Sequence, residues 1–499
     1  MLTLGIDVGT SSVKVLALST EEGRVIASGL GRHAVFGRGE VLEAEPSQWI
    51  EATQMALQQC LSSLGPAVSQ VAAIGLTGNM SSVVVVDRAG RPLRRAMLLA
   101  DTRGVEEIRR IPASLRDDIE ACSHNPINTA FSLPKLLWLA KNDPLVVRSA
   151  SAWLSAKDYV RLWLTGQLAT DLTDAYNSLL VEANTAAWRF DIAERLGISS
   201  DIFPPIYESQ AVAGTVTANA AVATGIRKGT PVVCGMGDMA AAALGAGSIE
   251  PGDGLISLGT STTVLSPLGD RPLPDAWHGR LTYHPLPRPM GFFSLASLLT
   301  GGLAINWLRE ATGVVPTTSG EIVPDVDNPL IFLPHLSGAG SPDFDPTARG
   351  TIFGLTASTD MSQLFAALYE AVAFELRTII TIHEEVSAFD SISITGGATH
   401  LRPFLQVIAD VLGLPLRVPA HVDVSALGAA VLAAHADHTD GLLVLPVAGQ
   451  QKCEVVEPRA SLRDTWLARA ERYRRAREQA GGYYTRPGSE PQASLGGRQ

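Results

Sequence analysis

Two short turns rich in glycine and hydroxyl side chains are the first places where this sequence could do chemistry. The segment Asp7–Ser12, followed by Lys14, and the segment Gly259–Thr262 place these residue types in nearly the same order. Backbone N–H groups and hydroxyls on such a turn can cradle phosphate oxygens. Asp7 could hold a hydrated magnesium ion beside them. The alternative is a hairpin that is stabilised by its own Ser and Thr side chains and binds no ligand.

Two further glycine turns join a strand to a helix. Gly235–Asp238 ends an apolar strand, so the Asp238 carboxylate is predicted at a strand's carboxyl end, where open α/β sheets bind ligands. The alternative for Asp238 is an ordinary helix cap. Thr395–Ala398 follows the apolar strand Ser391–Ile394, and its paired glycines could lie flat against a purine ring. Close packing of the strand against the helix is the alternative for these glycines.

The elements that must position these turns repeat along the chain. The first turn lies between the predicted strands Leu2–Ile6 and Val13–Leu18, and the second between Gly254–Leu258 and Thr263–Leu265. A chain of 499 residues is too long for one ordinary core. We therefore predict a domain-sized duplication, with its boundary in the polar segment Gly247–Asp253.

Composition narrows the classes of function. A net charge of -11 and a pI of 5.4 disfavour nucleic acid and anionic membranes as partners. The four cysteines are scattered without a CxxC pair, which disfavours a disulfide framework or a zinc site. The N-terminus lacks the pattern of a signal peptide, and no window approaches the roughly 20 apolar residues of a membrane span. We therefore expect a soluble, cytoplasmic enzyme that acts on small ligands, with no nucleic-acid or membrane partner.

In their order along the chain, these segments resemble the FGGY family of carbohydrate kinases, within the actin–hexokinase–Hsp70 superfamily. The family signatures and the segments that look most like xylulokinases are Phe131–Leu139, Ala156–Tyr159, Leu164–Gly166, Thr170–Ala175, Leu333–Gly338 and Asp345–Leu355. The resemblance implies an α/β fold of two ribonuclease-H-like (actin-like) domains with a ligand cleft between them, across which Asp7 and Asp238 face each other. It implies a sugar and phosphate domain at 1–247, a nucleotide domain at 248–480 and a disordered tail at 481–499.

The resemblance also implies roles for individual residues. It implies ATP-dependent phosphate transfer to a ketose or polyol, with ATP and Mg²⁺ as cofactors, Asp7 as the catalytic carboxylate that holds the metal, and Asp238 as the general base. The residues implied in binding ATP and the transferring phosphate are Thr10, Ser11, Ser12, Lys14, Gly259, Thr260, Gly302, Asn306, Gly397 and Ala398. The residues implied in binding the sugar are Asn79, Met80, Ser81, Asp101, Asp238 and Met239.

The sequence departs from xylulokinases where the sugar should bind. It has Asn79-Met80-Ser81 for Gln-Met-His, Leu99-Ala100-Asp101 for Trp-Asn-Asp, Met239 for Asn, and Gly338–Pro342 for Gly-Glu-Arg-Thr-Pro. Kinase activity is therefore expected, and the acceptor stays open between xylulose and another ketose or polyol. The alternative classes are an Hsp70- or actin-like ATPase and a catalytically silent sugar-binding regulator. The oligomeric state is also open, with a homodimer as one option.

Overall fold

The chain folds into two compact units. The computed structural model describes residues 1–183, 185–271, 273–274, 277, 279–316, 320–420, 423–436 and 453–484. The first unit contains Met1–Ile249, Tyr283–Phe292 and 423–436, and the second contains Glu250–Thr282, 293–420 and 453–484. The predicted C-terminal domain at 248–480 is thus not one continuous unit, because two of its segments pack with the N-terminal part of the chain.

Strands and helices alternate along both units. The strands, in chain order, are Leu2–Val8, Ser12–Ser19, Arg24–Arg32, Val35–Phe36, Glu43–Ala44, Val71–Gly78, Val84–Val86, Ala96–Met97, Ala152–Leu154, Thr170–Asp171, Val181–Glu182, Ala187–Trp188, Ile206–Tyr207, Val212–Thr215, Pro231–Val233, Met236–Gly237, Asp253–Leu258, Thr262–Gly269, Thr282–Pro285, Phe292–Leu298, Ile331–Leu333, Thr351–Phe353, Ser391–Thr395, Leu416–Val418 and Glu454–Val456. The α-helices are Pro46–Leu64, Val105–Arg110, Ala113–Ser123, Ser132–Asn142, Pro144–Ser149, Ala156–Thr165, Leu172–Tyr176, Phe190–Arg195, Ala218–Thr224, Asp238–Ala246, Gly301–Thr312, Met361–Glu384, Arg402–Leu412, Val424–Ala433 and Arg463–Tyr484. Short 3₁₀ helices are Gly65–Gln70, Ser200–Ile202, Gly397–His400 and Ala460–Leu462.

The first unit is built on a sheet whose central strands are buried. Leu2–Val8 pairs antiparallel with Ser12–Ser19 and parallel with Val71–Gly78. The order across the sheet is Val212–Thr215, Pro231–Val233, Val71–Gly78, Leu2–Val8, Ser12–Ser19 and Arg24–Arg32, with Met236–Gly237 also paired to Val71–Gly78. A strand covered on both faces is apolar along its whole length, and Leu2–Val8 is buried at every position but one.

A helix from late in the chain, Val424–Ala433, packs against this sheet. It is apolar nearly all round and is buried accordingly. A Cβ atom built on Gly5 would lie 1.9 Å from the carbonyl oxygen of Ala426, and one built on Gly75 would lie 1.9 Å from that of Ala429. Glycine at these two strand positions therefore lets the helix backbone come into direct contact with the sheet.

The segment Tyr283–Phe292 also joins the first unit through specific contacts. The side chain of Asn125 accepts a hydrogen bond from the backbone N–H of Tyr283 and donates one to its carbonyl oxygen, each at 2.8 Å. The rings of Tyr283 and Phe292 stack with centroids 4.4 Å apart, and Tyr176 meets Phe292 edge-on. These contacts explain why a segment from the middle of the chain belongs to the first unit.

The second unit is built on a sheet of its own. The sheet includes, in this order, the strands Phe292–Leu298, Thr262–Gly269, Asp253–Leu258, Ser391–Thr395, Leu416–Val418 and Glu454–Val456. The long helix Met361–Glu384 begins at a capping box, in which Asp360 and Gln363 satisfy each other's backbone N–H groups. The repeated strand–turn–strand of the sequence thus appears once in each unit.

The C-terminal helix Arg463–Tyr484 is fixed to the second unit by a buried ion pair. Arg469 Nε lies 2.9 Å from Oε2 of Glu370, which belongs to the helix Met361–Glu384. The first four residues of the predicted tail, 481–484, end this C-terminal helix, and 485–499 lie outside the described residues. Across the described ranges, no helix is both long and apolar enough to pass through a bilayer.

Candidate active site

Asp7 and Asp238 lie at the same edge of the first sheet. Asp7 is near the end of Leu2–Val8, and Asp238 directly follows Met236–Gly237. Both strands run parallel to Val71–Gly78, one on each side of it, so the axes of the two strands are roughly 10 Å apart. Both belong to the first unit, because one sheet carries both strands.

Asp238 lies in surroundings that disfavour its charge. Its Oδ1 is buried and accepts no hydrogen bond from the described residues. Burial, followed by the carboxylates of Asp7 and Asp174, raises the pKa of Asp238 to about 8, against the lowering effect of the backbone amides of Met239 and Met80. The residue as a whole keeps partial solvent access. A carboxyl group whose pKa lies near neutrality is well suited to take a proton from a hydroxyl.

Asp7 lies beside an ion pair that the sequence did not predict. Lys14, opposite Asp7 in the hairpin, pairs with Asp423 at 2.5 Å. Burial raises the pKa of Asp7 to about 6, Lys14 lowers it and Asp423 raises it. Asp423 directly precedes the helix Val424–Ala433 and is 409 residues from Lys14 along the chain. No local motif marks it, so only the packing of that helix reveals it.

The first glycine turn is a tight hairpin that presents its hydroxyls outward. The backbone N–H of Gly9 donates to the carbonyl oxygen of Ser12 at 3.0 Å, and Thr10 and Ser11 are exposed. His33 braces the turn, since its backbone N–H donates to the carbonyl oxygen of Ser11 at 3.1 Å and its Nε2 lies 3.1 Å from that of Gly9. A single histidine outside any motif gives no signal, so His33 was missed from the sequence.

Asn79 is turned toward the backbone at the site. It follows the strand Val71–Gly78, and both its backbone N–H and its Nδ2 donate to the carbonyl oxygen of Val8, at 2.9 and 3.1 Å. Its Oδ1 is buried and accepts no hydrogen bond from the described residues. Asn79 therefore ties two neighbouring strand ends together and keeps one acceptor atom unused.

Three further residues expected to bind the sugar lie near Asn79 or next to Asp238 along the chain. Met80 is buried, and its side chain lies against Gly237. Ser81 is buried in a left-handed conformation with φ 59°, which is uncommon for a residue other than glycine. Met239 is partly exposed on the first turn of the helix that begins at Asp238.

The Asp101 carboxylate is fully occupied by its own neighbours, which differs from the expected sugar contact. Arg103 donates to both of its oxygens from Nε at 3.0 Å and to Oδ2 from an Nη atom at 2.7 Å. The backbone N–H of Leu42 also donates to Oδ2 at 3.0 Å. The Asp101 side chain is buried, and the Arg103 guanidinium lies 4.5 Å from the Trp138 ring centroid. This carboxylate has little capacity left for a ligand hydroxyl.

The second unit contains a cavity of about 340 Å³ beside its own glycine turn. It brings together all six nucleotide-binding residues that were expected in this half of the chain: Gly259, Thr260, Gly302, Asn306, Gly397 and Ala398. Arg309 and His400 also line it, and no motif marks either residue. The cavity offers exposed backbone, an amide side chain and a cation, which suit a nucleotide.

Glycine is required at one wall of this cavity. The backbone N–H of Gly302 donates to the carbonyl oxygen of Gly259 at 3.0 Å, and that of Leu303 donates to Thr260 at 2.9 Å. A Cβ atom built on Gly302 would lie 2.4 Å from the carbonyl oxygen of Gly259. The start of the helix Gly301–Thr312 therefore packs directly on the turn.

Comparison with known proteins identifies the family of this chain. The N-terminal domain of the FGGY family of carbohydrate kinases matches residues 2–245 of this chain, and the C-terminal domain of that family matches residues 254–436. Xylulose kinase from Bacillus subtilis (strain 168) is 30% identical over 441 residues, which cover 86% of this chain and 87% of the relative. Xylulose kinase from Escherichia coli (strain K12) is 31% identical over 453 residues, which cover 88% of this chain and 91% of the relative.

A solved structure shows the same fold. The crystal structure of a xyloylose kinase from Brucella ovis has a TM-score of 0.88 to this chain at 27% identity and covers 97% of this chain and 100% of its own. The expected α/β fold of two domains is thus confirmed, and a kinase is favoured over an Hsp70- or actin-like ATPase. The chain belongs to the FGGY family of carbohydrate kinases and is an ATP-dependent sugar kinase.

Proposed function

We propose that this sugar kinase transfers the γ-phosphate of ATP to a hydroxyl of a ketose or polyol, with Asp238 as the general base. The observation that carries the proposal is the state of the Asp238 carboxylate, whose Oδ1 is buried with no donor among the described residues and whose pKa is raised to about 8. Such a group can accept the proton of the attacking hydroxyl as the phosphate is transferred. A positioned base of this kind contributes typically ~10²–10⁴-fold to the rate.

The residues near Asp7 fit magnesium and phosphate. Asp7 offers the hard oxygen ligand that Mg²⁺ prefers, and the outward hydroxyls of Thr10 and Ser11 and the ammonium of Lys14 lie in the same hairpin. The metal, when bound, would neutralise charge on the phosphate oxygens. Lys14 would contact the transferring phosphate, and this requires it to exchange its partner Asp423 for that phosphate.

The acceptor is expected to be a ketose or polyol other than D-xylulose. The relatives named xylulose kinases support a ketose. In this chain, however, Met239 stands directly after the base where xylulokinases have an amide, and Ser81 stands where they have a histidine. A site that hydrogen-bonds a hydroxyl rejects analogues without it by ~10⁴–10⁵-fold. A site with fewer polar groups should discriminate less, or accept a bulkier or less polar sugar.

The base is tested by replacing Asp238 with Asn, which keeps the size of the side chain but cannot accept the proton. Asp238→Asn should lower kcat by about 10²-fold or more, while ATP binding measured by titration stays unchanged. Asp191→Asn is the control, because Asp191 is exposed and pairs with Arg189 at the surface. An Asp238→Asn enzyme that keeps a third of the wild-type turnover would contradict the assignment.

The acceptor is tested by measuring sugar-dependent ADP release across pentuloses, hexuloses and polyols. We expect another acceptor to exceed D-xylulose in kcat/KM. If D-xylulose is best by a hundredfold, about 2.7 kcal/mol of transition-state discrimination, the proposed acceptor class is wrong while the assignment of the base still stands. Absence of ADP release with every acceptor would contradict the transfer itself.

A further inference from the structure

A continuous set of buried polar contacts leads from Lys157 to the residue before Asp238. Lys157 Nζ lies 2.9 Å from Oδ1 of Asp171. Oδ2 of Asp171 accepts the hydroxyl of Thr173 at 2.7 Å, and the Thr173 oxygen in turn accepts the backbone N–H of Gly237 at 2.7 Å. The side chains of Lys157 and Asp171 are fully buried and that of Thr173 nearly so. The set ends at Gly237, the residue directly before the proposed base.

The charges in this set are nearly balanced and cannot rearrange freely. Lys157 also contacts Asp158 at 2.7 Å and Asp174 at 3.1 Å. Burial disfavours the ammonium, but these carboxylates and Asp171 outweigh it and raise the pKa of Lys157 well above its usual value. Arg161 supplies the second positive charge, at Asp158. Because a buried charge that loses its partner is strongly unfavourable, each group holds the others in one arrangement.

The position of Gly237 depends on this arrangement. A Cβ atom built on Gly237 would lie 3.6 Å from both the Thr173 hydroxyl oxygen and Oδ1 of Asp174. The backbone therefore passes directly over these two side chains just before the helix that begins at Asp238. Gly237 has no side chain of its own to fix it, so the hydrogen bond from its N–H to Thr173 is its specific anchor on this side.

We propose that Thr173 is a positioning residue for phosphate transfer, which orients the Asp238 carboxylate through the Gly237 peptide. The inference rests on the proposed role of Asp238 as the base. Thr173 acts as a relay: its hydrogen donates to Asp171, which fixes the hydroxyl, and its oxygen lone pair is thereby directed at the Gly237 N–H. Asp171 and Gly237, the hydrogen-bond partners of Thr173, both lie in the first unit. Neither is among the residues predicted to bind ATP.

The test replaces Thr173 by Val, which has nearly the same shape but no hydroxyl. A displacement of about 1 Å at a catalytic group can lower the rate by roughly 10²-fold, so Thr173→Val should reduce kcat about 10- to 100-fold. KM for the acceptor and the affinity for ATP should change less than about threefold, because Asp238 is only one of several groups expected to bind the acceptor and is not expected to bind ATP. Thr173→Ser keeps the hydroxyl and should restore kcat to within about threefold of wild type.

The control is Thr224→Val, at a buried threonine in the same unit whose hydroxyl donates to Ala220 at 2.7 Å. It should lower thermal stability without changing kcat at a temperature at which all variants are folded. If Thr173→Val does not fold, Thr173→Cys, which offers only a weak acceptor, takes its place with the same expected loss of kcat.

Two outcomes separate this inference from the proposed function. If Thr173→Val is destabilised but keeps wild-type kcat, Thr173 is only structural and the inference is overturned, while a dead Asp238→Asn enzyme would still support the base. If Asp238→Asn keeps its turnover, the base assignment is wrong. The inference is then overturned as well, because Thr173 would have no base to orient. Failure of Thr173→Ser to restore kcat would also overturn the relay.

Discussion

At the scale of the residue, Asp238 combines a chemical role with a cost in stability. Its carboxyl has a pKa of 3.8 when unperturbed and of about 8 in the fold. Between these two pH values the folded chain holds a proton that the unfolded chain has released. Stability therefore falls as the pH rises through this window and stays level above it. The group thus favours folding least at the pH where it is ready to act as a base.

Asp238→Asn should therefore raise the free energy of unfolding, with a gain that grows from about pH 4 to pH 8 and then levels off. Because the residue is partly exposed, we expect roughly 1–3 kcal/mol at pH 8. Urea denaturation of both proteins at several pH values measures it. Asp191→Asn is the matched control, since the Arg189 side chain lowers the pKa of Asp191 and its loss should bring no gain. A pH-independent effect of Asp238→Asn would refute the explanation.

Asp7→Ala should lower the apparent affinity for magnesium more than the affinity for the sugar. Asp7 is the carboxylate beside the phosphate hairpin, and losing a group that supports a metal typically costs ~10–100-fold in metal affinity. Initial rates at varied free Mg²⁺ should show a half-maximal concentration at least roughly tenfold higher, with little change in KM for the acceptor. A large loss of sugar affinity at unchanged magnesium dependence would be the opposite result.

At the scale of the element, the parts of the fold that local sequence specifies were predictable. The hairpin strand expected at Leu2–Ile6 extends over Leu2–Val8, because apolar alternation and the glycine turn are local signals. The largely apolar run Ser82–Val86 also predicts a strand, and the structure has one at Val84–Val86. It starts later because Ser81, in its left-handed conformation, still belongs to the preceding turn.

The side chains of the site were less predictable than its turns. The six residues predicted to bind the nucleotide in the second unit meet in one cavity. Four of them lie on the two glycine turns, and Gly302 and Asn306 lie on the helix that packs against the first of these turns. Asp101 matched a motif, but Arg103 occupies its carboxylate. Asp423 and Thr173 act through partners that are distant along the chain, at Lys14 and Gly237. No spacing in a single sequence can reveal such partners.

The helix that carries Asp238 is set in place by a close contact between two helices. The two helices are Asp238–Ala246 and Val424–Ala433. A Cβ atom built on Gly428 of the second helix would lie 1.9 Å from the carbonyl oxygen of Ala241 in the first. A Cβ atom built on Gly245 of the first helix would lie 2.0 Å from the carbonyl oxygen of Val424 in the second. Each glycine thus accommodates the backbone of the other helix.

Gly428→Ala decides between two opposite effects. Helix propensity alone favours Ala over Gly by about 1 kcal/mol, whereas the backbone contact at Ala241 leaves no space for a methyl group. We expect the contact to prevail and the variant to lose roughly 2 kcal/mol or more, as overpacked sites do. Ser425→Ala, at a partly exposed position of the same helix, should change stability little. A more stable Gly428→Ala protein would show that the helices can separate without penalty.

At the scale of the whole molecule, the first unit is assembled from separate parts of the chain. The helix Val424–Ala433 covers strands that end before residue 80, and Thr3 Oγ1 donates to the carbonyl oxygen of Ala430 at 2.8 Å. Without this helix, the apolar face of the first sheet around Gly5 and Gly75 would be exposed to water. The unit therefore needs sequence from both halves of the gene product.

A fragment that ends at Ile249 should consequently fail to fold cooperatively. We expect binding of a hydrophobic dye and a broad thermal transition, because the sheet lacks its covering helix. Joining 423–436 to the fragment through a flexible linker should restore a sharper transition and reduce dye binding. The same linker with a Leu427→Asp, Val431→Asp sequence is the control, since it has the length but not the apolar surface. Equal behaviour of the bare fragment and the joined fragment would contradict the expectation.

Because the first unit is built from two distant parts of the chain, it cannot be completed until late in translation. After Ile249 has been added, about 180 residues remain to be translated up to Ala433, which takes roughly 10–40 s at ~5–20 residues per second. During that interval the nascent chain carries an almost complete sheet with an apolar face that has no cover. The emerging protein is therefore a natural client for ribosome-associated chaperones, and slow codons between the two segments would prolong the exposure rather than help the first unit to fold.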